Sequence, residues 1–299
     1  MITIFTPTYN REHTLKRLYI SLCNQTCCDF EWLIVDDGST DRTEELIDSF
    51  IKEGKVEIRY LKKKNEGKHV AINFGVKYAK GDWFFIVDSD DYLTENAIET
   101  VTLYAKQVKD DSGIACVVGL RGNKNNQVLS NVAYKDAGPW MQQEYIDASV
   151  FEYRGKMKIT GDRAEIIKTD ILLKFPFPQF KGEVFLSESC LWYGLAKAGY
   201  RCRWFNKIIY ITEYLEDGLT NHSKENHMKC WQGTCYTMNF LLGCREIKLI
   251  ERSRCAVNFF RYGFYGKKSF WALYKDCTDK LLALPAAVVA MLSKVGERK

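Results

Sequence analysis

The stretch FFIVDSDDYL, residues 84–93, runs four apolar residues, Phe84 to Val87, straight into the carboxylates of Asp88, Asp90 and Asp91. A short apolar run followed by polar turn residues predicts a strand buried on both faces. The three acids then crowd together at its carboxyl end. Two unit charges about 5 Å apart repel by roughly 3 kcal/mol at an effective dielectric of about 20. The pattern therefore asks for a cation.

Working outward, ITIFT (2–6) reads as a buried strand, followed by a helix from Glu12 to about Asn24 with Leu15, Leu18 and Leu22 at helical spacing. EWLIVD (31–36), a helix from Thr43 to about Lys52 and VEIRYL (56–61) come next. A helix from about Lys68 to Ala79 leads into DWFFIVD (82–88); another spans Glu95 to about Lys109, and IACVVGL (114–120) closes the series. Apolar strands alternating with helices predict an α/β fold, a mostly parallel sheet with helices on both faces. Such sheets bind ligands at the carboxyl ends of their strands. TPTYNR, DDGSTD and DSDD follow the first, second and fourth strands, so all three converge on one cleft.

The later chain is less regular. Residues 121–160 are polar, with a hairpin or loop at 123–127. A short strand or turn follows Thr160, then a brief helix near Asp170 to Lys174, the turn FPFPQF (175–180), a helix in SESCLWYGLAKAG (187–199) and a strand in RCRWFNKIIYI (201–211). Beyond about Asn221 the composition shifts to helices rich in aromatics, Lys and Arg. The expected division is 1–120, 121–220 and a helical region 221–299.

Bulk properties exclude several classes. The 299 residues are 46% hydrophobic with a net charge of +5, too mild a balance for a nucleic-acid binder. The eleven cysteines include no Cys-x-x-Cys pair, and no His lies at zinc-finger spacing from one, so reduced, mostly buried thiols are expected. No secretory leader is visible, and the longest apolar run, LLALPAAVVAML (281–292), is too short to span a bilayer.

A second acidic pair, Asp36–Asp37, ends the second strand. Neighbouring acidic strand ends call for a hydrogen-bonding ligand or a divalent cation, and carboxylates select a hard one, Mg²⁺ or Mn²⁺, of the kind that binds phosphates through few protein ligands. Neither G-x-x-x-x-G-K-[ST] nor G-x-G-x-x-G occurs, so the usual glycine-rich phosphate cradles are missing.

TIFTPTYNREHTLKRLYISLCNQTCCDFEWLIVDDGSTDRTEELI (3–47) and NEGKHVAINFGVKYAKGDWFFIVDSDDYL (65–93) resemble the amino-terminal half of family 2 glycosyltransferases, which adopt the Rossmann-like GT-A fold. The resemblance implies a nucleotide-sugar donor. It places Pro7, Thr8, Tyr9, Arg11 and Asp37 around the nucleotide base, with Asp37 able to accept a uracil N3–H. It puts Asp88 toward the ribose, beside Ser89, and Asp90 on the metal with Asp91 in support. Lys68, with Asn73 about one helical turn on, stands where a basic residue contacts the nucleotide. The base of an inverting transfer falls on Glu188, where the family usually has Asp with an acidic neighbour; here that neighbour is Ser187. Glu183 is the second choice. Asp162 and Arg163 are candidate cleft residues, and His222 a candidate metal or phosphate ligand.

The aromatic and basic segment 230–299 is compatible with an anionic lipid surface, with a helical cap on the core or with a partner protein. The reading is a metal-dependent inverting transferase passing a sugar, UDP-linked, to a glycan or lipid-linked acceptor in surface-polymer assembly. It would work in the cytoplasm, at the inner face of the membrane. A sugar-nucleotide nucleotidyltransferase and a non-catalytic nucleotide- or glycan-binding subunit are the alternatives.

Overall fold

The computed structural model describes residues 1–125, 127–129, 143–213 and 223–293. Its first half is the alternating series expected: β1 (Ile2–Thr8), α1 (Leu15–Cys23), β2 (Phe30–Asp36), α2 (Thr43–Glu53), β3 (Ile58–Lys62), α3 (Lys68–Gly75), β4 (Trp83–Ile86), β5 (Tyr92–Leu93), α4 (Ala97–Val108) and β6 (Ile114–Gly122). There follow β7 (Tyr145–Ala148), β8 (Arg163–Lys168), α5 (Thr169–Leu172), α6 (Ser189–Lys197) and β9 (Arg201–Ile211), then helices α7 (Ser223–Lys229), α8 (Trp231–Leu242), α9 (Leu249–Tyr265), α10 (Phe270–Asp276) and α11 (Lys280–Leu292).

The central sheet runs β3-β2-β1-β4-β8-β6-β9-β5, with β7 added to β9. β3, β2, β1 and β4 are parallel neighbours. The sequence series did not anticipate that β8 inserts between β4 and β6, antiparallel to both. Its first residues, Arg163–Glu165, therefore lie at the edge where β4 and β6 end. β5, too short to stand out in the sequence, pairs antiparallel with β9.

The apolar run of β4 is explained by burial on both faces. Phe84 and Ile86 join the core with Phe5, Leu33, Ile72 and Ile167. Phe85 and Val87 join the opposite core with Leu18, Trp32, Ile98 and Tyr104. Alternate side chains of a strand point to opposite faces, so a strand between two helical layers must be apolar at every position. Phe5 and Phe84 stack at 4.8 Å between centroids, and Tyr19 and Phe50 at 4.0 Å.

Helices α8 to α11 close around a third core of Leu242, Ala256, Phe259, Phe260, Leu273 and the alanines of α11. None of the eleven cysteines is in a disulfide, and seven of them are buried. No helix among the described residues is long and apolar enough to cross a membrane.

The turn into α11 rests on a buried ion pair. The Arg252 guanidinium donates to Asp279 and, through Nε, to the Leu242 carbonyl at 2.9 Å. Asp279 also caps α11 by accepting from the Leu281 and Leu282 amides. Asp279→Ala is expected to cost about 3–5 kcal/mol, because it strands a buried guanidinium. This is read as a lower urea midpoint at unchanged slope. The double change Arg252→Met with Asp279→Asn, which removes the charge and keeps a capping oxygen, is expected to cost less.

Candidate functional site

The carboxyl ends of β1, β2, β4, β6 and β9 share one edge with the starts of α3, β8 and α6, and the polar residues collect there. The central contact belongs to Lys68, the first residue of α3. Its ammonium lies 2.5 Å from Asp88 Oδ1, beyond the end of β4, and 2.8 Å from Glu188 Oε1, at the start of α6. Three of the expected residues, two from the 65–93 stretch and one from the second half of the chain, are thus brought into direct contact. Burial works against the Lys68 charge, but Asp88 and Glu188 outweigh it and raise its pKa above the ordinary value.

The acids of DSDD differ from one another. Burial opposes ionisation of Asp88, yet Lys68 and Arg121 hold its carboxyl below the usual range. Arg121, on β6, lies 3.7 Å from Asp88 Oδ2 and 3.6 Å from Asp91 Oδ2. Asp91 is buried and tied to the end of β9, where the Glu213 amide donates to it at 3.2 Å. Burial and then the Asp88 charge push Asp91 up to about 7. Asp90 is half-buried, and its carboxyl is raised by burial and by Asp88. Among the described residues it has no ion-pair partner, although the Arg11 charge reaches it. An acid left unneutralised beside a second acid is a donor set that fits a hard cation. Among the described residues no three His, Cys, Asp or Glu side chains form a group able to hold a metal by themselves.

Asp36 and Asp37 do not add to that excess of charge. Asp36 is fully buried and accepts from the Ser39 amide and the Tyr60 hydroxyl, both at 2.7 Å. Asp37 accepts from Lys63 Nζ at 2.8 Å, from the Glu66 amide at 3.0 Å and from the Gly67 amide at 2.7 Å. The expectation that both strand ends need one ion is corrected here: the second strand's acids are satisfied by the chain that follows them. Asp37 thereby fixes the turn that delivers Lys68. Gly67 makes that turn possible, with φ at +96° and a Cβ position only 1.9 Å from the Val184 carbonyl oxygen. No side chain fits between this turn and the irregular segment leading to Glu188.

The other expected residues fall into two groups. Pro7 and Thr8 end β1, and the Thr8 hydroxyl is buried with no partner among the described residues. Tyr9 is exposed, and the Arg11 amide donates to Thr43 Oγ1 at 3.0 Å. Ser89 is buried between Asp88 and Asp90. Asn73, by contrast, spends its side-chain amide on the Phe177 backbone, with both bonds at 2.8 Å. Glu183 caps α8, accepting from the Gln232 and Gly233 amides at 2.8 Å each, and is thereby engaged away from Glu188. Asp162 is exposed and Arg163 is buried, donating to Tyr153 Oη and to the carbonyls of Thr160 and Asp162. His222 lies outside the described residues.

Sequence reasoning missed Arg121, Tyr210 and Glu165. Arg121 Nε donates to the Arg163 carbonyl at 2.7 Å, and its guanidinium stands 4.1 Å from the centroid of the Tyr210 ring. The Tyr210 hydroxyl accepts from the Asp88 amide at 2.9 Å. Glu165 lies on β8 opposite Val118. A lone Arg after an apolar strand, and a Tyr or Glu inside one, carry no local signal; the strand order brings them in.

Burial pushes the Glu165 carboxyl up from 4.5 to about 7; Arg121 opposes this and Glu188 adds to it. Between about pH 5 and about pH 7 the folded protein therefore keeps a proton that the unfolded chain has lost, and Asp91 acts in the same direction. Their contribution to stability falls as pH rises through this window and levels off above it, opposed by His69 and His227, which burial holds below the ordinary imidazole value so that their contribution rises with pH. Thermal unfolding in EDTA is expected to show the Glu165 contribution as a difference: the slope of stability against pH becomes less negative, or more positive, in Glu165→Gln than in the parent. An unchanged slope in the variant refutes the assignment.

Chondroitin synthase from Pasteurella multocida (strain Pm70) is 37% identical over 125 residues, 42% of this chain but only 12% of that enzyme. The GalNAc(5)-diNAcBac-PP-undecaprenol beta-1,3-glucosyltransferase of Campylobacter jejuni is 24% identical over 98% of this chain and 93% of its own length. The structure of S. aureus TarS 1-349 with UDP-GlcNAc superposes with a TM-score of 0.59 at 18% identity, covering 97% of this chain and 79% of TarS 1-349. Mannosyltransferase PcManGT from Pyrobaculum calidifontis, with GDP-Man and Mn²⁺, gives 0.54 at 15% identity, covering 100% of this chain and 76% of that one. These likenesses show the fold, GT-A, as the motif resemblance implied. The family model for glycosyl transferase family 2 matches residues 3–169, which takes in the DSDD cluster, Lys68, Arg121 and the inserted β8, and the chain belongs to that family.

Proposed function

We propose that this chain transfers a sugar, with inversion, from a UDP-linked donor to a hydroxyl of a glycan or lipid-linked glycan during surface-polysaccharide assembly. The observation that carries the reading is the single ammonium of Lys68 shared by Asp88 and Glu188. It sets a carboxylate suited to general-base work beside the acidic cluster, where a nucleoside diphosphate belongs. Glu188 takes the proton of the acceptor hydroxyl as that oxygen attacks the anomeric carbon, while the bond to the diphosphate breaks and the nucleotide leaves. Lys68 orients Glu188 and keeps positive charge next to the leaving group.

On the donor side, Tyr9 offers an exposed ring for the base, and the partnerless Thr8 hydroxyl offers a hydrogen bond. A carboxylate has about four acceptor sites, and Asp37 uses three of them on its own turn, leaving room for a uracil N3–H. Asp90, supported by Asp91, would hold Mg²⁺ or Mn²⁺, which when bound neutralises charge on the diphosphate. The solved relative with GDP-Man and Mn²⁺ supports a divalent ion of this kind. The donor half is then residues 1–120 and the acceptor half 121–220. Residues 221–299, helical within the described 223–293, form a third region whose part from 230 meets the cytoplasmic face of the membrane that carries the acceptor.

Release of nucleoside diphosphate from a panel of sugar nucleotides, with Mn²⁺ and with EDTA, tests the reading. One UDP-sugar is expected to be consumed in the presence of acceptor and metal only. Glu188→Gln is expected to lower kcat by about 10²–10⁴-fold with donor KM little changed. Full activity in that variant refutes the assignment of the base. Asp90→Asn is expected to abolish the metal-dependent thermal stabilisation by UDP while leaving the melting temperature of the ligand-free protein within a few degrees of the parent. If UDP stabilises that variant equally well with Mn²⁺, Asp90 is not the ligand.

A further inference from the structure

Helix α11 has its apolar residues reversed relative to an ordinary surface helix. Its small residues Ala283, Ala286, Ala287 and Ala290 face the core of the helical region. Leu282 packs against that core as well, but the other large residues face outward: Leu281 is 87% exposed, Leu284 62%, Val288 47% and Leu292 81%. At about 100° per residue these four fall within an arc of roughly 80°, which Met291 and Val289 widen to roughly 160°. The arc is opposite the alanines. Trp271, on the adjoining α10, is 74% exposed. No charged residue interrupts 281–292. An exposed apolar face of this breadth marks an interaction surface rather than scattered surface hydrophobes.

Length and charge say what covers it. Thirteen residues of helix reach about 20 Å, short of the ~30 Å hydrocarbon core, so α11 cannot span a bilayer and can only lie along one. In 266–293 Lys267, Lys268, Lys275 and Lys280 are exposed, and Asp276 is the one exposed acid. Asp279 is consumed by Arg252. A second copy laid on this face would bring lysines against lysines, whereas an anionic bilayer attracts them. The exposed tryptophan on α10, which packs against α11, suits the headgroup region.

We infer that α11 is an interfacial anchor: its Leu281–Leu284–Val288–Leu292 face, with Trp271, beds into an anionic lipid surface, and the flanking lysines meet the headgroups. The inference rests on the lipid-linked acceptor proposed above and specifies which residues of 230–299 make the membrane contact. Large residues outside and alanine inside give one helix two functions. It packs closely on α9 and inserts its other side in lipid.

The test is sedimentation of the full chain with vesicles of phosphatidylcholine alone and of equal parts phosphatidylcholine and phosphatidylglycerol. Binding to the anionic vesicles is expected, weaker on phosphatidylcholine and weakened by salt. Leu284→Glu with Val288→Glu is expected to lower the partition coefficient at least tenfold with an unchanged circular dichroism spectrum. Leu281→Asn with Leu292→Asn serves as the second variant should the first fail to fold. A parent chain that stays in the supernatant, or variants that bind equally well, overturn the inference. So does a parent dimer by light scattering that the variants convert to monomer. Nucleotide release with a short soluble acceptor separates the two readings: its absence from the parent chain, with vesicle binding intact, counts against the transferase and not against the anchor.

Discussion

One lysine ammonium held between two carboxylates organises this molecule. Asp88 stands just past the end of β4 and Glu188 at the start of α6, in the second half of the chain, and Lys68 touches both. Each carboxylate alone in a half-buried cleft would carry a desolvation cost, and together they would repel. The shared cation turns that repulsion into a bond between the two halves of the chain. The backbone around Lys68 is built for the task. Asp37 pins the preceding turn through two amides, and Gly67 allows that turn to lie against Val184 where no side chain fits.

The antiparallel insertion of β8 provides the second support. It puts Arg163 at the edge where the parallel strands end, and the Arg163 carbonyl receives Arg121. Arg121 in turn leans on the Tyr210 ring and faces Asp88 and Asp91. A fully parallel sheet would have put the amino end of that strand at the opposite edge, away from the acids. The charge of the DSDD cluster is thus balanced from β6 and α3, leaving Asp90 as the acid without an ion pair among the described residues.

The helical region follows a different logic. Its interior is filled by aromatics from α9 and by alanines from α11, so that helix approaches its neighbours closely while Leu281, Leu284 and Leu292 stay outside. The buried Arg252–Asp279 pair fixes where α11 begins. A buried ion pair is weak evidence of stability but a strong constraint on register, since moving either partner leaves a charge in the core.

The strands, the helices and the convergence of TPTYNR, DDGSTD and DSDD were legible from the sequence, because burial on both faces forces uninterrupted apolar runs and polar residues then collect at strand ends. Lys68, Asp88 and Glu188 could be picked out one by one through motif resemblance. What the sequence could not tell was which charges neutralise one another. Asp36 and Asp37 look like metal ligands until Tyr60, Lys63 and the 65–67 turn fold onto them. Glu183 looks like a rival to Glu188 until α8 places its amides on it. Arg121, Tyr210 and Glu165 carry no motif at all. Sequence spacing fixes local periodicity and hence the elements, but ion pairing depends on distances set by strand order, and the place of β8 in that order is settled only when the whole sheet closes.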